Sequence, residues 1–239
     1  VGNDINDAVI EFALQGPKLK VKQNNINCVV TGNVSFTFKK NSKIYNGECY
    51  KTFDLNNNDE IDIISTNNSM YGYFSISGGF KIEKKWNSYS THLRSKVGPN
   101  KGDKIAENDI LQLNKNVKPI IKKSIDYSNS KIEFIRVIKG TNFDYFSKES
   151  QKSFFESQYQ VTNLTDRMGM RLDGNKLNNI KSENIKSEGL IKGVIQVPPD
   201  GKPIIMLSDH GTIGGYPKIG VIVSADYDKI VQLLSLIHI

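Results

Sequence analysis

Cysteine is scarce: Cys28 and Cys49 are the only two among 239 residues, and neither belongs to a Cys-x-x-Cys pair. A disulfide framework and a paired-cysteine zinc site are therefore not expected. Two isolated thiols of this kind fit a reducing cytoplasm. Long apolar runs are missing as well. A membrane-spanning helix needs about 20 consecutive apolar residues, whereas stretches 204–207 and 221–223 have the length of buried strands. No basic block or aromatic-basic stripe accompanies the net charge of +7; the lysines are scattered, with doublets such as Lys84-Lys85 and Lys122-Lys123. That pattern reads as solvated surface, with no nucleic-acid or membrane partner. The Walker phosphate loop, the His-Glu-x-x-His zinc motif, a metal-spaced histidine cluster and a nucleophile elbow are all absent.

What remains is a chain with 38% hydrophobic residues, enough for a real core and sized for one large or two small domains. Short alternating or apolar runs bounded by Gly, Asn, Asp or Pro occur at 8–14, 19–22, 27–31, 35–38, 60–65, 71–76, 131–138, 203–208 and 219–224. They predict a mainly β architecture. Two helices are expected. One lies over 143–158, with Ser147 as N-cap and Phe146, Phe154 and Phe155 apolar; the other lies over 225–234, with Asp226 as cap. Loss of periodicity at 114–129, around Lys118-Pro119, predicts two parts, 1–118 and 119–239. Asn58-Asp59-Glu60-Ile61 and Asn108-Asp109-Ile110-Leu111 read as similar turn-into-strand units. A start at Val1 without Met and an apolar end over 233–239 predict a fragment.

Arginine is the first chemical clue. Arg94, Arg136, Arg167 and Arg171 stand in a chain that otherwise uses lysine, so each marks a place where a planar, bidentate fork is useful. Arg167 and Arg171 are four apart; in a strand they share one face, about 13 Å apart at roughly 3.3 Å per residue. They either converge on anionic groups or pair with Asp166 and Asp173. A second clue is the segment from Ser187 to Asp226. Pro198-Pro199-Asp200-Gly201 is turn chemistry, Ser208-Asp209-His210 reads as the lip of a pocket, and Gly214-Gly215 permits close backbone approach to an anion. Spacing alone supports an anion-accommodating pocket and no particular reaction.

The motifs also carry a resemblance. Thr165-Asp166-Arg167-Met168-Gly169-Met170-Arg171-Leu172-Asp173-Gly174, the stretch from Ser187-Glu188-Gly189 through Gln196-Val197-Pro198-Pro199-Asp200-Gly201-Lys202-Pro203, and Gly214-Gly215-Tyr216-Pro217-Lys218-Ile219 followed by Ser224-Ala225-Asp226 are similar to those of the KipA / allophanate hydrolase subunit 2 family. This is also described as the biotin-dependent carboxyltransferase family, and its stand-alone bacterial members resemble the C component of 5-oxoprolinase. Weaker matches at Gly16-Pro17 and from Ser88 to Arg94 extend it over nearly the whole chain. Relative to the family pattern, a segment before Val1 and a closing Gly-Asp turn and strand after Leu234 are missing, and the Gly-rich stretch after Arg94 is shortened to 98–103.

The resemblance implies a cyclophilin-like β-barrel in two subdomains with a few short helices. It implies ATP-dependent opening of 5-oxoproline to glutamate, performed with a KipI-like protein (the B component) and a separate A component, the chain being inactive alone. ATP with magnesium is the implied cofactor. Biotin is not expected on this chain, which has no Met-Lys-Met signal. For that chemistry Glu188, Asp209 and Lys218 are the candidate catalytic groups. The first two would be acid/base or magnesium-facing carboxylates, and Lys218 would act with Arg167 and Arg171 as a cation for phosphate and substrate charge. Gln196 and Thr212 would orient, and Gly214, Gly215 and Tyr216 would complete the substrate and nucleotide site. Two alternatives remain: the carboxyltransferase part of a urea carboxylase-like system, and a non-catalytic regulator of a kinase-inhibitor protein.

Overall fold

The computed structural model describes residues 1–114, 122–127, 134–182 and 184–235. The chain divides into two compact units, 1–129 and 130–239. The described segments are mainly β, as the alternating runs predict.

Among the described residues, the first unit holds eight strands in two antiparallel four-stranded sheets. One sheet orders β1 (Ile10–Ala13), β8 (Tyr71–Ile76), β3 (Ile26–Thr31) and β6 (Phe53–Leu55); the other orders β2 (Lys18–Lys20), β7 (Glu60–Thr66), β4 (Val34–Lys40) and β5 (Lys43–Asn46). Burial alternates along β8, where Gly72, Phe74 and Ile76 point inward and Tyr71, Tyr73 and Ser75 outward, the period of two that one buried face demands. Both sheets feed one core containing Val30, Phe36, Leu55, Ile61, Ile63 and Phe74. The two Asn-Asp turns are built alike. Asn58 and Asn108 have φ of 71° and 69°, and the carboxylates of Asp59 and Asp109 accept from the backbone N–H three residues earlier, at 2.8 and 2.7 Å. Only the first runs into a strand.

The second unit is a six-stranded antiparallel sheet in the order β10 (Gln160–Thr165), β11 (Gly169–Asp173), β14 (Ile204–Met206), β13 (Val194–Gln196), β16 (Lys218–Ile222), β9 (Val137–Lys139). A two-stranded ribbon joins β12 (Glu188–Gly189) to β15 (Ile213–Gly214). One sheet face carries the main core, with Met170, Leu172, Ile195, Ile205 and Ile219 packed against Phe154, Tyr227 and Ile230 from the helices. The opposite face carries a smaller cluster of Leu190, Val194 and Met206, backed by Ile204 and Val221.

Helix α1 (Lys148–Glu156) has the expected cap, Ser147 Oγ accepting from the N–H of Ser150, but is shorter than the expected 143–158: 143–145 form a separate short 3-10 turn, and Phe155 is exposed. Helix α2 (Ser224–Ile230) corrects the expectation at its start. Its N-cap is Val223, and Asp226 sits inside the first turn, because its carboxylate is drawn instead to Arg136. Arg136 Nε and Nη2 reach Asp226 at 2.8 and 2.9 Å, the Arg136 N–H adds a third bond at 2.9 Å, and Lys229 Nζ lies at 3.1 Å. Of the expected strand over 131–138, residues 131–133 lie outside the described residues, as do Lys118-Pro119 and the apolar end 236–239.

Candidate functional site

The strongest concentration of polar side chains on the ribbon-covered sheet face centres on Lys218. A register shift between β13 and β16 makes this possible: Val194 faces Val221 and Ile195 faces Gly220, but Gln196 faces Lys218 rather than Ile219. This β-bulge drops Ile219 into the main core and turns Lys218 to the face of Gln196, the re-aiming role that bulges serve. The lysine side chain is only 6% exposed. Its Nζ meets Glu188 Oε2 at 2.5 Å, and the Glu188 side chain is 47% exposed. A buried cationic side chain is costly without a partner, and the ribbon carboxylate of Glu188 supplies one.

Gln196 is buried and donates from Nε2 to the Tyr216 carbonyl at 3.0 Å. Gly214 lies directly against it: a Cβ at Gly214 would stand 2.6 Å from Gln196 Nε2 and 2.8 Å from Leu190 Cδ1. A side chain here would have to displace the ends of both Gln196 and Leu190, so glycine is what lets the ribbon lie this close. Gly214 pairs with Glu188 across the ribbon. Gly215 accepts from the Ile185 N–H at 2.8 Å and Thr212 from that of Leu190 at 3.0 Å, so both hold the ribbon through their carbonyls.

The lysine backbone is clamped by residues that sequence reasoning missed. Asn142, itself buried, accepts from the Lys218 N–H through Oδ1 at 3.1 Å and donates its own N–H to the Lys218 carbonyl at 3.2 Å. A Cβ at Gly140 would strike that carbonyl at 2.3 Å. The signal for this clamp is only a Gly-Thr-Asn turn 76 residues away, which carries no motif of its own.

The remaining candidates stand in other clusters. Arg167 is not in a strand. Asp166 Oδ1 accepts from the N–H groups of Met168 and Gly169 at 2.8 and 3.1 Å, bending the chain before β11 starts. Arg167 therefore turns to Asp209 in a bidentate pair, Nε and Nη2 at 2.9 and 3.0 Å. Arg171 lies on the outward face of β11, half-exposed, with Asp200 4.0 Å away. The two arginines thus do not form one fork-bearing strand face, and Asp209 belongs with Arg167 while Glu188 belongs with Lys218. His210 Nδ1 contacts the Gly211 carbonyl at 2.7 Å. Among the described residues, no three His, Cys, Asp or Glu side chains gather to hold a metal ion. A hollow around Leu93, Lys101 and Ile105 and another around Tyr50 and Tyr127 lie in the first unit, and neither includes these groups.

The comparisons with known proteins cover the same chain. The model of the family "carboxyltransferase domain, subdomain A and B" matches residues 1–235. The C component of the 5-oxoprolinase of Haemophilus influenzae is 29% identical over 98% of this chain and 74% of its own length. That of Escherichia coli is 31% identical over 69% of this chain and 53% of its own length. The Kluyveromyces lactis urea carboxylase structure aligns over 100% of this chain and 23% of its own, with a TM-score of 0.87 at 22% identity, which shows a shared fold. The β-bulged lysine, the glycine ribbon and the arginine hairpin are thus features of a chain that belongs to the carboxyltransferase domain family, subdomains A and B.

Proposed function

We propose that this chain is the C component of an ATP-dependent 5-oxoprolinase, working in the cytoplasm with a KipI-like B component and a separate A component. The observation that carries this reading is the buried Lys218 held by a half-exposed Glu188 beside Gln196 and Gly214, in a chain similar to the C components of two 5-oxoprolinases. Among the described residues no helix is long and apolar enough to cross a membrane.

A cyclic amide is a poor electrophile, and transfer of the ATP γ-phosphoryl group to its oxygen supplies a better leaving group. Water then adds at that carbon, the ring C–N bond breaks as nitrogen takes a proton, and a second water releases phosphate. In this reading Lys218 stabilises charge on the transferring phosphoryl group, exchanging Glu188 for it. The freed Glu188 handles the proton. Gln196 and the ribbon backbone at Gly214, Gly215 and Tyr216, with Thr212 beside them, orient the ring. Arg171, loosely paired on an open face, is free to take a carboxylate or phosphate, while Arg167 and Asp209 hold the hairpin that presents it. Asp209 is committed to Arg167 and Glu188 to the proton in this reading, so any magnesium would be held chiefly by the nucleotide phosphates, as is usual for this ion.

The full-chain match to a urea carboxylase fold favours a second reading, transfer of a carboxyl group from biotin borne on another protein. The experiment is ATP turnover by the complex assembled with both companion proteins. Turnover triggered by 5-oxoproline and insensitive to avidin supports the first reading; avidin inhibition, or urea replacing 5-oxoproline, supports the second. No ATP turnover under any condition supports the regulator.

A further inference from the structure

Residues 81–89 of the first unit carry a feature that the site above does not use. Lys85 and Ser88 exchange backbone hydrogen bonds at 2.9 and 3.0 Å. The two residues between them, Trp86 and Asn87, both have left-handed backbones, with φ of 49° and 61°. This is type I′ turn geometry, whose first central position favours Asn, Asp or Gly because a bulky side chain is strained there. Here it holds the chain's only tryptophan, and that residue is 79% exposed. The stalk beneath is fixed: Ile82 and Tyr89 pack against the core of the first unit, and Lys84 Nζ lies 5.0 Å from the centroid of the Tyr89 ring. Lys81, Lys84 and Lys85 are all exposed, with Glu83 among them, so the hairpin tip is net positive.

For the isolated chain this arrangement is unfavourable twice, through the strained backbone and through a large apolar ring left in water. An exposed tryptophan is, however, a preferred interface anchor, and the lysines around it would stand at the polar rim of such a contact. We propose that the 81–89 hairpin is a docking element that inserts Trp86 into an apolar slot rimmed by Asp and Glu on a companion protein of the same enzyme. The charge of the tip selects an acidic rim, and the relatives, each named as one subunit of a 5-oxoprolinase, show that chains of this kind belong to multi-subunit enzymes. The inference rests on the multi-component reading above, since the occupant is one of those companions. A lipid surface is an outcome of the test.

Because Trp86 is the sole tryptophan, selectively excited fluorescence of the chain reports on the hairpin alone. The free chain should emit as a solvated indole and be quenched by iodide. The KipI-like B component and the A component of the same source are added in turn, each with its own tryptophans replaced by Phe. One of them should shift the emission to the blue and protect it from iodide. Trp86→Asn, which suits the turn, should keep the fold and melting temperature yet weaken that complex at least tenfold; Lys84→Glu with Lys85→Glu should weaken it and flatten its salt dependence. If the wild-type chain binds neither companion, the multi-component reading falls and the docking proposal with it. A complex that forms with an affinity unchanged by Trp86→Asn removes the docking proposal alone. A buried emission in the free chain, or a blue shift produced only by vesicles of phosphatidylcholine and phosphatidylglycerol, also overturns it.

Discussion

Two ion pairs in the second unit are built with opposite polarity. In one, the carboxylate of Asp226 is buried, 1% exposed, and the Arg136 side chain covering it is 56% exposed. In the other, the ammonium of Lys218 is buried and the Glu188 carboxylate faces outward. The Asp226 pair is closed: two guanidinium bonds, a backbone N–H and Lys229 converge on one carboxylate, and β9 is thereby tied to α2. The Lys218 pair is a single contact to a long, flexible type of side chain, over a glycine ribbon that lets a ligand come near. Saturation marks a structural latch, whereas the single, half-exposed partner of the buried lysine is what the chemistry proposed at Lys218 requires.

The largest expected effect comes from breaking the latch. Asp226→Ala removes the partner of Arg136 and the tie between β9 and α2, so the melting temperature should fall by on the order of 10 °C, measured by calorimetry, with turnover per folded complex preserved. Lys218→Met should do the reverse. Its apolar stem keeps the packing, while turnover of the assembled complex falls roughly 100-fold, about 2.7 kcal/mol. Arg171→Lys keeps the charge and loses the fork, so turnover should fall roughly tenfold, about 1.4 kcal/mol. Arg167→Lys should lower the melting temperature instead, because its bidentate geometry is already committed to Asp209.

The smallest effect is a pH dependence. The Arg136 guanidinium and N–H hold the Asp226 carboxyl well below the usual carboxylate range. A folded value below the unfolded one means the contribution is fully present above the unfolded pKa, near 4, and is lost as pH falls below it. Acid unfolding followed by circular dichroism should therefore steepen below about pH 4 in the wild type and flatten in Asp226→Asn.

The same contrast explains what is legible in the sequence. Strands such as β8 and β7 are visible there because one buried face imposes alternation within a few residues. The cap of α1 is visible because Ser147 acts on its own helix. Asp226 has the look of a cap but serves Arg136, 90 residues away, and no local pattern encodes such a partner. The shared strand face of Arg167 and Arg171 fails at Asp166, whose side chain bends the backbone just before β11. Glu188, Gln196, Gly214 and Lys218 stand out by motif, and the structure brings them together. What places Lys218 there, the bulge at Ile219 and the clamp from Asn142, acts through backbone register and leaves no trace in residue types.

The most direct measurement is 5-oxoproline-dependent ATP turnover of the complex carrying Lys218→Met, set beside Asp226→Asn, each normalised to folded protein by calorimetry. Turnover reduced roughly 100-fold in Lys218→Met at an unchanged melting temperature, with near wild-type turnover and a lowered melting temperature in Asp226→Asn, is the predicted result. Lys218→Met turning over within about twofold of wild type, less than about 0.5 kcal/mol, would contradict the assignment of the buried lysine to the reacting site.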